Sequence, residues 1–330
     1  MIFDLQALIS EYSSWLPEPV WKVVPPFTLL WAAYRINQYL NTRALNNGVQ
    51  ATFDWKKEIV LVTGGSDGIG AATVLKLAER GTAVIVLDIR PLKFDARKEI
   101  DAQSKTLHVW AKNVQYYRCD LTNQSELKSV AETLRREVGT PTCVVANAGI
   151  CRGKPLLHAT PRDIELTFAV NNLGLVWTAQ TFLPDMVAQN HGHFLIMASQ
   201  TAHLATAGVV DYAATKAAAL AIYEGLQTEL RHVYRAPAVR VSCVAPSAVQ
   251  TKMFRGIQTP ASVTLLKPTD VGSLVAEILW SGRAQNRMTP ALAYISPPTR
   301  ALPDWMRVGF QDLGKDVMST LSPHQPMDEI

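Results

Sequence analysis

Residues 60–70 read VLVTGGSDGIG, where a short apolar run meets three spaced glycines and then a helix-forming segment. Residues 59–62 are aliphatic or β-branched without alternation, which is typical of a strand buried on both faces of a parallel sheet. The glycines permit positive φ angles and let phosphate groups approach the backbone closely. A helix predicted over residues 69–80 would direct its free N–H groups and positive dipole end at such a ligand. The stretch therefore predicts a phosphate-binding turn between a strand and a helix.

The glycine spacing, Gly64-x-x-x-Gly68-x-Gly70, differs from the commonest dinucleotide fingerprint, Gly-x-Gly-x-x-Gly. A second buried strand strengthens the signal, because residues 83–88 end in Asp88, 18 positions after Gly70. A carboxylate there can accept hydrogen bonds from the ribose hydroxyls of an adenosine. We expect NAD in preference to NADP, since Asp88 would repel a 2′-phosphate. Arg90 leaves NADP open, because its guanidinium could pair with that phosphate.

The composition is that of an ordinary globular protein. With 330 residues, 48% of them hydrophobic and 18% charged, the chain can bury a large core without disulfides or metal. A formal net charge of +4 without blocks of like charge argues against nucleic acid as a partner. The four cysteines are scattered and no histidine stands near them at metal-ligand spacing, so no metal site is predicted. We interpret them, Cys151 included, as reduced packing residues.

Residues 1–50 form a hydrophobic segment that differs from the rest of the chain. The apolar run over residues 23–34 has 12 residues, short of the ~20 that a transmembrane helix needs. Pro25 and Pro26 are expected to interrupt a continuous helix within it. A cleaved signal peptide is not expected, because a basic start and a small-residue cleavage site are missing.

Two interpretations of this segment remain. It is either a monotopic anchor or membrane hairpin, or an N-terminal helix that folds onto the catalytic domain or a partner. The anchor is favoured, since Trp21, Trp31 and Tyr34 suit the lipid interface while Lys22 and Arg35 can reach the headgroups. A polar linker over residues 41–53 would then lead into a catalytic domain of residues 51–330.

From residue 59 onward, predicted strands and helices alternate, which indicates an α/β fold with a doubly wound parallel sheet of the Rossmann type. The predicted strands are residues 59–62, 83–88, 114–119, 143–146, 193–198, 239–244 and 288–295. The predicted helices are residues 69–80, 124–138, 161–189, 209–234 and 270–280, with an irregular one within 91–113. Residues 247–266 lack periodicity and are interpreted as a mobile substrate lid. Its side chains that could line an apolar pocket are Met253, Phe254, Ile257, Val263, Leu265 and Leu266.

Tyr212 and Lys216 are four residues apart on a predicted helix, so they share one face. A fixed ammonium near the phenol is expected to lower the pKa of Tyr212 from its ordinary value of ~10, which makes Tyr212 a usable acid and base. Ligands of an open parallel sheet lie beyond the carboxyl ends of its strands. Residues at or just beyond those ends therefore converge: Gly64, Asp88, Asp120, Asn147, Ser199 and Pro246.

Over residues 57–295 the chain resembles the short-chain dehydrogenase/reductase family. The resemblance rests on TGGSDGIG at residues 63–70, Asp120-Leu121, Asn147-Ala148-Gly149, Asn171, Ser199, Tyr212-x-x-x-Lys216, and Thr251 five residues after Pro246. Two positions depart from the family pattern. Ala146 stands where the family often has Asn, and Ser247 stands where it often has Gly, so the loop there is expected to be less flexible.

The resemblance implies roles for the matched residues. Ser199 would hold the substrate oxygen, Tyr212 would exchange a proton with it, and Lys216 would bind the nicotinamide ribose while tuning Tyr212. Asn171, chosen over Asn172 by its register, would fix a water that continues the proton relay. The implied cofactor-binding residues are Gly64, Ser66, Asp67, Gly68, Ile69, Gly70, Asp88, Asp120, Leu121, Asn147, Ala148, Gly149, Tyr212, Lys216, Val249 and Thr251.

A closer resemblance is to the membrane-associated retinol, 17β-hydroxysteroid and long-chain alcohol dehydrogenases. It rests on Leu87-Asp88-Ile89, Trp177-Thr178, Phe182-Leu183-Pro184 with Met186, and the hydrophobic N-terminus. It implies an NAD(P)-dependent oxidoreductase that interconverts an alcohol and its carbonyl by hydride transfer. The substrate would be a steroid, retinoid, fatty alcohol or polyketide-type ketone.

The alternative is a non-catalytic dinucleotide-binding scaffold of the same fold. The expected location is an endoplasmic reticulum or lipid-droplet membrane with the catalytic domain facing the cytosol, a cytoplasmic protein being the alternative. A homo-oligomer is left open.

Overall fold

The computed structural model describes residues 18–93, 113–257, 265–318 and 321. The chain divides into two compact units, with the boundary between Gly48 and Val49. Most of the irregular helix predicted within residues 91–113 lies outside the described residues, as does Val263.

Helix α1 (Glu18–Leu45) belongs to the first unit and is continuous through Pro25 and Pro26. The predicted interruption, and with it a hairpin turning at these prolines, is therefore wrong. A proline removes one backbone hydrogen bond and can kink a helix, yet the residues on either side can keep helical angles. The predicted linker over residues 41–53 is shorter than expected, because the helix runs to Leu45. Within the described ranges, the structure has no helix that is both long and apolar enough to cross a membrane.

The second unit is built on one parallel sheet, which confirms the predicted doubly wound α/β fold. Within the described residues the sheet has seven strands: β1 (Ile59–Thr63), β2 (Ala83–Asp88), β3 (Val114–Arg118), β4 (Cys143–Ala146), β5 (His193–Met197), β6 (Arg240–Pro246) and β7 (Asn286–Thr289). Their order in the sheet is β3-β2-β1-β4-β5-β6-β7. Val62 of β1 pairs with Val86 on one side and Val145 on the other, as a central strand does.

Helices cover both faces of this sheet. They are α2 (Gly68–Ala78), α3 (Gln124–Glu137), α4 (Pro161–Phe168), α5 (Gly174–Gln189), α6 (Val210–His232), α7 (Pro268–Trp280) and α8 (Asp304–Asp312). Because side chains alternate along a strand, Val60 and Val62 pack in the core beneath α2 and α7, while Leu61 packs in the core beneath α3, α5 and α6. This double covering explains why β1, β2, β4 and β5 read as nearly continuous apolar runs.

The helix predicted over residues 161–189 is divided by a π-helical turn. Thr160 and Asp163 form a reciprocal capping box at its start, as the predicted cap at Thr160 requires. Helix α4 then passes into the π turn Ala169–Leu173, and α5 continues to Gln189. Asn171 lies buried within this turn, which a sequence pattern does not reveal.

The last strand lies earlier than predicted. β7 ends at Thr289, and the residues predicted to continue it form a 3-10 helix, Ala291–Ile295. Pro290 explains the difference, since a proline has no N–H to donate to the strand ladder.

Candidate active site

A cleft of about 310 Å³ opens at the carboxyl ends of β1, β2, β4, β5 and β6. Every residue predicted to be catalytic or to bind the cofactor lies in the described part of the chain, and all of these except Gly70 and Asn171 line the cleft. The parallel topology thus brings together residues that are far apart in the sequence. Gly70 and Asn171 lie behind the lining.

The glycine turn is shaped by close backbone packing. Gly64 has a φ of +65°, and a Cβ there would lie 2.8 Å from the Cα of Ala148. A Cβ on Gly70 would collide with the carbonyl oxygen of Gly64, so Gly70 lets α2 pack directly against the turn. The amide of Asn147 donates to the carbonyl oxygens of Thr63 and Gly64, both at 3.0 Å, and fixes the turn from the β4 side.

The beginning of α2 fits a phosphate group. Gly68 has a φ of +61°, and a Cβ on it would lie 3.3 Å from the methyl carbon of Thr251. A side chain at this position would fill the space between the helix N-terminus and Thr251. Because the N-terminus of a helix attracts anions, the residues present suit the pyrophosphate of a dinucleotide.

Asp88 is held in one orientation at the end of β2. Its two carboxylate oxygens accept the backbone N–H groups of Ser66 and Arg90, both at 3.0 Å. The hydroxyl of Ser66 donates to the carbonyl oxygen of Arg90 at 2.8 Å and ties the same two segments together. Arg90 also lines the cleft, so a carboxylate and a guanidinium flank the same region of it.

Asp67 joins the turn to the segment after β6. Its Oδ1 accepts the N–H of Gly68 at 2.8 Å and caps α2, while its Oδ2 lies 3.1 Å from the Nζ atoms of both Lys93 and Lys252. Burial raises the pKa of Asp67, but hydrogen bonds from Lys252, Lys93 and Gly68 outweigh burial and bring this pKa below its usual value. Lys252 lines the cleft and was missed by the sequence analysis, since only its position after Thr251 could have indicated it.

Asp120 and Leu121 line the cleft beyond the end of β3. Oδ1 of Asp120 accepts the N–H of Thr122 at 2.8 Å and its hydroxyl at 2.7 Å. This local turn orients Asp120 at the wall of the cleft. It also places Leu121 against Gly174 at the start of α5, where a Cβ would lie 3.1 Å from the Cβ of Leu121.

Ser199, Tyr212 and Lys216 meet in the interior of the cleft. All three are buried, and the side chain of Ser199 lies close enough to the hydroxyl of Tyr212 to act on its pKa. The Nζ of Lys216 lies 5.6 Å from the ring centroid of Tyr212 and donates to the carbonyl oxygen of Met197 at 2.9 Å. The predicted shared face of Tyr212 and Lys216 is therefore present.

The predicted lowering of the pKa of Tyr212 by Lys216 is wrong for this structure. Burial raises the pKa of Tyr212 above its ordinary value, the proximity of Cys151 adds to the rise, and the side chain of Ser199 opposes it. Burial also lowers the pKa of Lys216, to about 8. Desolvation therefore disfavours both the phenolate of Tyr212 and the ammonium of Lys216. The side-chain nitrogen of Lys216 donates its hydrogen bond to the carbonyl oxygen of Met197 and not to Tyr212.

Asn171 supports the site from the π turn. Its side-chain oxygen accepts the N–H of Ile150 at 2.8 Å, and its amide donates to the carbonyl of Ile150 and the hydroxyl of Thr215, both at 2.9 Å. Asn172 donates to the carbonyl oxygen of Thr215 at 2.9 Å. A Cβ on Gly149 would lie 3.3 Å from the side-chain oxygen of Asn171 and 3.4 Å from the Nζ of Lys216. Asn171 therefore connects the loop after β4 with α6.

Two described residues of the predicted lid contribute to an apolar wall of the cleft. Met253 and Phe254 line the cleft, and the ring of Phe254 stands edge-on to that of Tyr212 with centroids 5.9 Å apart. Leu266 was predicted to line the pocket, which is wrong: it pairs with Val249 in a β-bridge and packs in the core beneath α2 and α7.

Cys151 is buried beside Tyr212, and burial raises the pKa of its thiol to about 12, in keeping with a packing role. No group of residues in the described part of the chain could hold a metal ion. Further cleft-lining residues that the sequence analysis missed include Ile150, Arg162, Leu166, Val170 and Met197.

Comparison with known proteins agrees with this arrangement. A family model described as short chain dehydrogenase matches residues 58–261, more than half of the chain. The chain belongs to the short-chain dehydrogenase family. The match begins just before β1 and includes the glycine turn, Ser199, Tyr212 and Lys216.

Relatives within the family include fungal and vertebrate proteins. Dehydrogenase RED2 of Cochliobolus heterostrophus is 34% identical over 210 residues, which cover 63% of this chain and 75% of the relative. Retinol dehydrogenase 10-B of Xenopus laevis is 30% identical over 260 residues, covering 72% of this chain and 76% of the relative. The structure of an alcohol dehydrogenase from Thermococcus sibiricus complexed with 5-hydroxy-NADP has a TM-score of 0.58 at 24% identity, covering 70% of this chain and 95% of that one. This structural likeness shows the shared fold.

Proposed function

We propose that this protein is an NAD(P)-dependent oxidoreductase that interconverts a lipophilic alcohol and its carbonyl. The observation that carries the proposal is the meeting of Ser199, Tyr212 and Lys216 in a cleft that also contains the glycine turn. Membership of the short-chain dehydrogenase family supports it. A non-catalytic scaffold is the alternative, and the convergence of the buried Ser199, Tyr212 and Lys216 on one cleft argues against it.

The reaction needs a proton at the substrate oxygen. A bound dinucleotide would supply or accept the hydride at the substrate carbon. Because burial raises the pKa of Tyr212, its hydroxyl is protonated at neutral pH and can donate first a hydrogen bond and then a proton to a carbonyl oxygen. Ser199 can hold the same oxygen, since it lines the cleft beside Tyr212 and its side chain acts on the pKa of that residue.

The test of this assignment is the variant Tyr212→Phe. It should bind cofactor normally and lose activity by about 10²- to 10⁴-fold, the usual contribution of a general acid. The matched control is Tyr223→Phe, which removes a hydroxyl from a buried tyrosine on the same helix that is hydrogen-bonded to Gln227. Unchanged turnover in Tyr212→Phe would refute the role of Tyr212.

The same cleft residues favour NAD as the cofactor. The turn at residues 64–70 and Asn147 would hold the pyrophosphate side, Asp88 the adenosine ribose, and Lys216 the nicotinamide ribose. The fixed carboxylate of Asp88 disfavours the 2′-phosphate of NADP. The guanidinium of Arg90 has the opposite effect, because it can pair with that phosphate. Titration of the purified protein with NADH and NADPH measures the preference, and tighter binding of NADPH would show that Arg90 prevails.

A lipophilic substrate is supported by the apolar side chains around Tyr212 and by the similarity to a protein named retinol dehydrogenase. The candidates are a steroid, a retinoid, a fatty alcohol and a polyketide-type ketone. Following NADH and NADPH absorbance with one representative of each class identifies the substrate class. Activity confined to small polar sugars would overturn the lipophilic assignment.

Helix α1 supports membrane association, with residues 51–330 as the catalytic domain facing the cytosol. A helix that exposes many large apolar side chains needs lipid or protein to cover them, since soluble monomers rarely expose a large apolar patch. The host would be the endoplasmic reticulum or lipid droplets, and a homo-oligomer remains compatible. The exposed apolar side chains of α1 are Leu29, Leu30, Trp31, Tyr34, Ile36, Tyr39 and Leu40.

Cell fractionation tests this part of the proposal. The full chain should sediment with membranes, whereas a chain starting at Asn41 and a Leu29→Ser/Leu30→Ser/Trp31→Ser variant should be found in the soluble fraction. The control is Leu157→Ser, at a leucine that is 94% exposed in the second unit. If the full chain and the shortened chain are both soluble, protein covers α1 and the anchor assignment fails.

A further inference from the structure

Three charged side chains meet where the glycine turn passes into α2, and we call Asp67, Lys93 and Lys252 the Asp67 cluster. Lys93 follows β2 and Lys252 follows β6, and the Nζ atom of each lies 3.1 Å from Oδ2 of Asp67. The other carboxylate oxygen of Asp67 accepts the N–H of Gly68 at 2.8 Å. The backbone N–H of Lys93 donates to the carbonyl oxygen of Ser66 at 3.2 Å. One carboxylate therefore holds two lysines from distant parts of the chain at the N-terminus of α2.

The Asp67 cluster borders the place that suits a pyrophosphate. Asp67 and Lys252 line the cleft, as do Gly68 and Thr251. The methyl carbon of Thr251 lies 3.3 Å from the position that a Cβ of Gly68 would take, so the residue before Lys252 stands next to the N-terminus of α2. A pyrophosphate bound at this N-terminus would therefore be a direct neighbour of the cluster.

The charges in the Asp67 cluster do not cancel, because two ammonium groups face one carboxylate. Burial opposes the ionisation of Asp67, but hydrogen bonds from the two lysines and from Gly68 outweigh burial and keep its pKa below the usual value. Asp67 is therefore ionised at neutral pH, and the cluster carries one net positive charge. A carboxylate alone at this helix end would repel a phosphate group, and the second lysine reverses the sign of the interaction.

Both lysines can bind a ligand in addition to Asp67. An ammonium group has three N–H donors. Within the described residues, each of these two ammonium groups makes one hydrogen bond, to Asp67. The side chains are 37% exposed for Lys93 and 55% exposed for Lys252, so an anion that enters from solvent can contact them.

We infer that Lys93 and Lys252 bind the pyrophosphate of the dinucleotide and that Asp67 is their counter-ion, which holds both lysines in place and opposes the cofactor by its charge. The inference rests on the proposed function and deepens it. It also changes the role of Asp67, which the family resemblance implied to be a cofactor-binding residue. The alternative is that the cluster only ties three segments together, as exposed ion pairs do at a gain of about 0–1 kcal/mol each.

The test measures binding of ADP to the full chain by calorimetry at low salt, because ADP carries the pyrophosphate and needs no turnover. Lys252→Gln makes the cluster neutral, and Lys93→Gln/Lys252→Gln makes it negative. The Kd should rise stepwise by about fivefold for each charge removed, the effect of one charge at about 4 Å in water. Asp67→Asn keeps a good cap for α2 but removes the negative charge, so the Kd should fall by about fivefold.

The ion pair of Lys76 and Glu79 at the other end of α2 supplies the matched controls. Lys76→Gln and Glu79→Gln make the same changes of charge and should bind ADP as the wild type does. If the Asp67 cluster served only to tie segments together, Asp67→Asn would release both lysines, and ADP would bind no more tightly. Unchanged or weaker binding of ADP by Asp67→Asn, at a wild-type melting temperature, would overturn the inference.

Salt and a second nucleotide identify which phosphate the lysines bind. The differences between wild type and variants should shrink from about 0.01 M to about 1 M salt, because the screening length falls from about 30 Å to 3 Å. Adenosine 2′,5′-bisphosphate carries a 2′-phosphate but no pyrophosphate. If Lys93→Gln/Lys252→Gln weakens binding of this nucleotide and leaves that of ADP unchanged, the lysines serve a 2′-phosphate and the inference is wrong.

Turnover measurements separate this phosphate site from the proposed reaction. A wild-type chain that reduces no carbonyl, while its variants follow the expected order of ADP affinity, would support the phosphate site and count against the oxidoreductase. Normal reduction by the wild type with equal ADP affinity in all variants would overturn the phosphate site and leave the reaction in place.

Discussion

Both ends of the parallel strands bury polar side chains, but only the carboxyl end directs them into a cleft. At the amino end, Glu58 accepts the backbone N–H of Asp54 at 3.0 Å and lies 3.1 Å from the Nε2 of His191. His193 lies at the first position of β5, with its Nε2 2.8 Å from the hydroxyl of Ser242. These groups have protein partners and connect strands and loops to each other.

At the carboxyl end, the buried polar groups line an open space instead. Ser199, Tyr212 and Lys216 are as deeply buried as Glu58, yet they border the cleft together with the glycine turn. Burial changes pKa values at both ends: it lowers that of His193 to about 3 and that of Lys216 to about 8. A perturbed pKa therefore does not by itself identify a site. The combination of buried polar groups, close-packed glycines and an adjoining cleft does.

Lys216→Met, at the carboxyl end of the strands, should show the largest difference between its effect on activity and its effect on stability. Loss of the ammonium beside Tyr212 should reduce kcat/KM by about 10²- to 10⁴-fold. The melting temperature should change little or rise, because a buried cation is costly to desolvate. Steady-state kinetics and thermal unfolding measure the two effects. The control is Lys76→Met, at a partly exposed lysine of α2. Full activity in Lys216→Met would show that the buried charge at the carboxyl end does not serve catalysis.

Gly70→Ala should weaken cofactor binding by at least tenfold. The new Cβ would meet the carbonyl oxygen of Gly64 and the amide of Asn147, so the turn must shift. Such overpacking also costs about 1–3 kcal/mol of stability. Gly225→Ala is the matched control, since nothing lies within 4 Å of its Cβ position, and this variant should be as stable as wild type or more stable. NADH titration that shows equal affinity in both variants would contradict the prediction.

Glu58→Ala should lower stability by about 1–3 kcal/mol, because the N–H of Asp54 and the ring of His191 lose their acceptor. The kcat/KM of the folded protein should stay at the wild-type value, since the change lies at the opposite end of the strands. Urea unfolding and kinetics test both parts. Glu277→Ala, at an exposed position of α7, serves as control. A loss of activity without a loss of stability would contradict the prediction that Glu58 serves stability and not catalysis.

A pH dependence of stability is expected at the amino end. His193 has a folded-state pKa of about 3, below the ordinary value of 6.5, so between these two pH values the unfolded chain binds more protons at this residue. Its contribution to stability is therefore lost progressively as the pH falls from 6.5 toward 3. Urea midpoints at pH 7, 5 and 4 should fall less steeply in His193→Gln than in wild type. The exposed His232→Gln is the control, and identical slopes in all three proteins would refute the prediction.

The sheet could be predicted from the sequence because its strands are buried on both faces. Runs such as residues 59–62 and 83–88 are continuously apolar, and parallel pairing then places Asp88 and Ser199 at the same end. The position of β7 was less predictable, since half of that strand is exposed and its apolar content is low.

Other features depend on contacts that a local pattern does not contain. Met318 and Leu321 belong to the buried apolar cluster around Tyr212, and their place in it depends on the path of the chain after β7. Lys252 is drawn to Asp67 by a contact between residues far apart in the sequence. The raised pKa of Tyr212 follows from the depth of its burial, whereas the spacing to Lys216 indicated only the attraction between the two groups.

The π turn Ala169–Leu173 limits how the chain can change in length. A π turn holds one residue more than the α-helix it replaces, and in an α-helix each residue turns the chain by about 100° and advances it by 1.5 Å. Deleting one residue here would keep the helix regular but rotate α5 against α4. Either Asn171 would lose Ile150 and Thr215, or Phe182 and Met186 would leave the core. Variation by insertion or deletion should therefore be far less tolerated in this helix than in the loops around it.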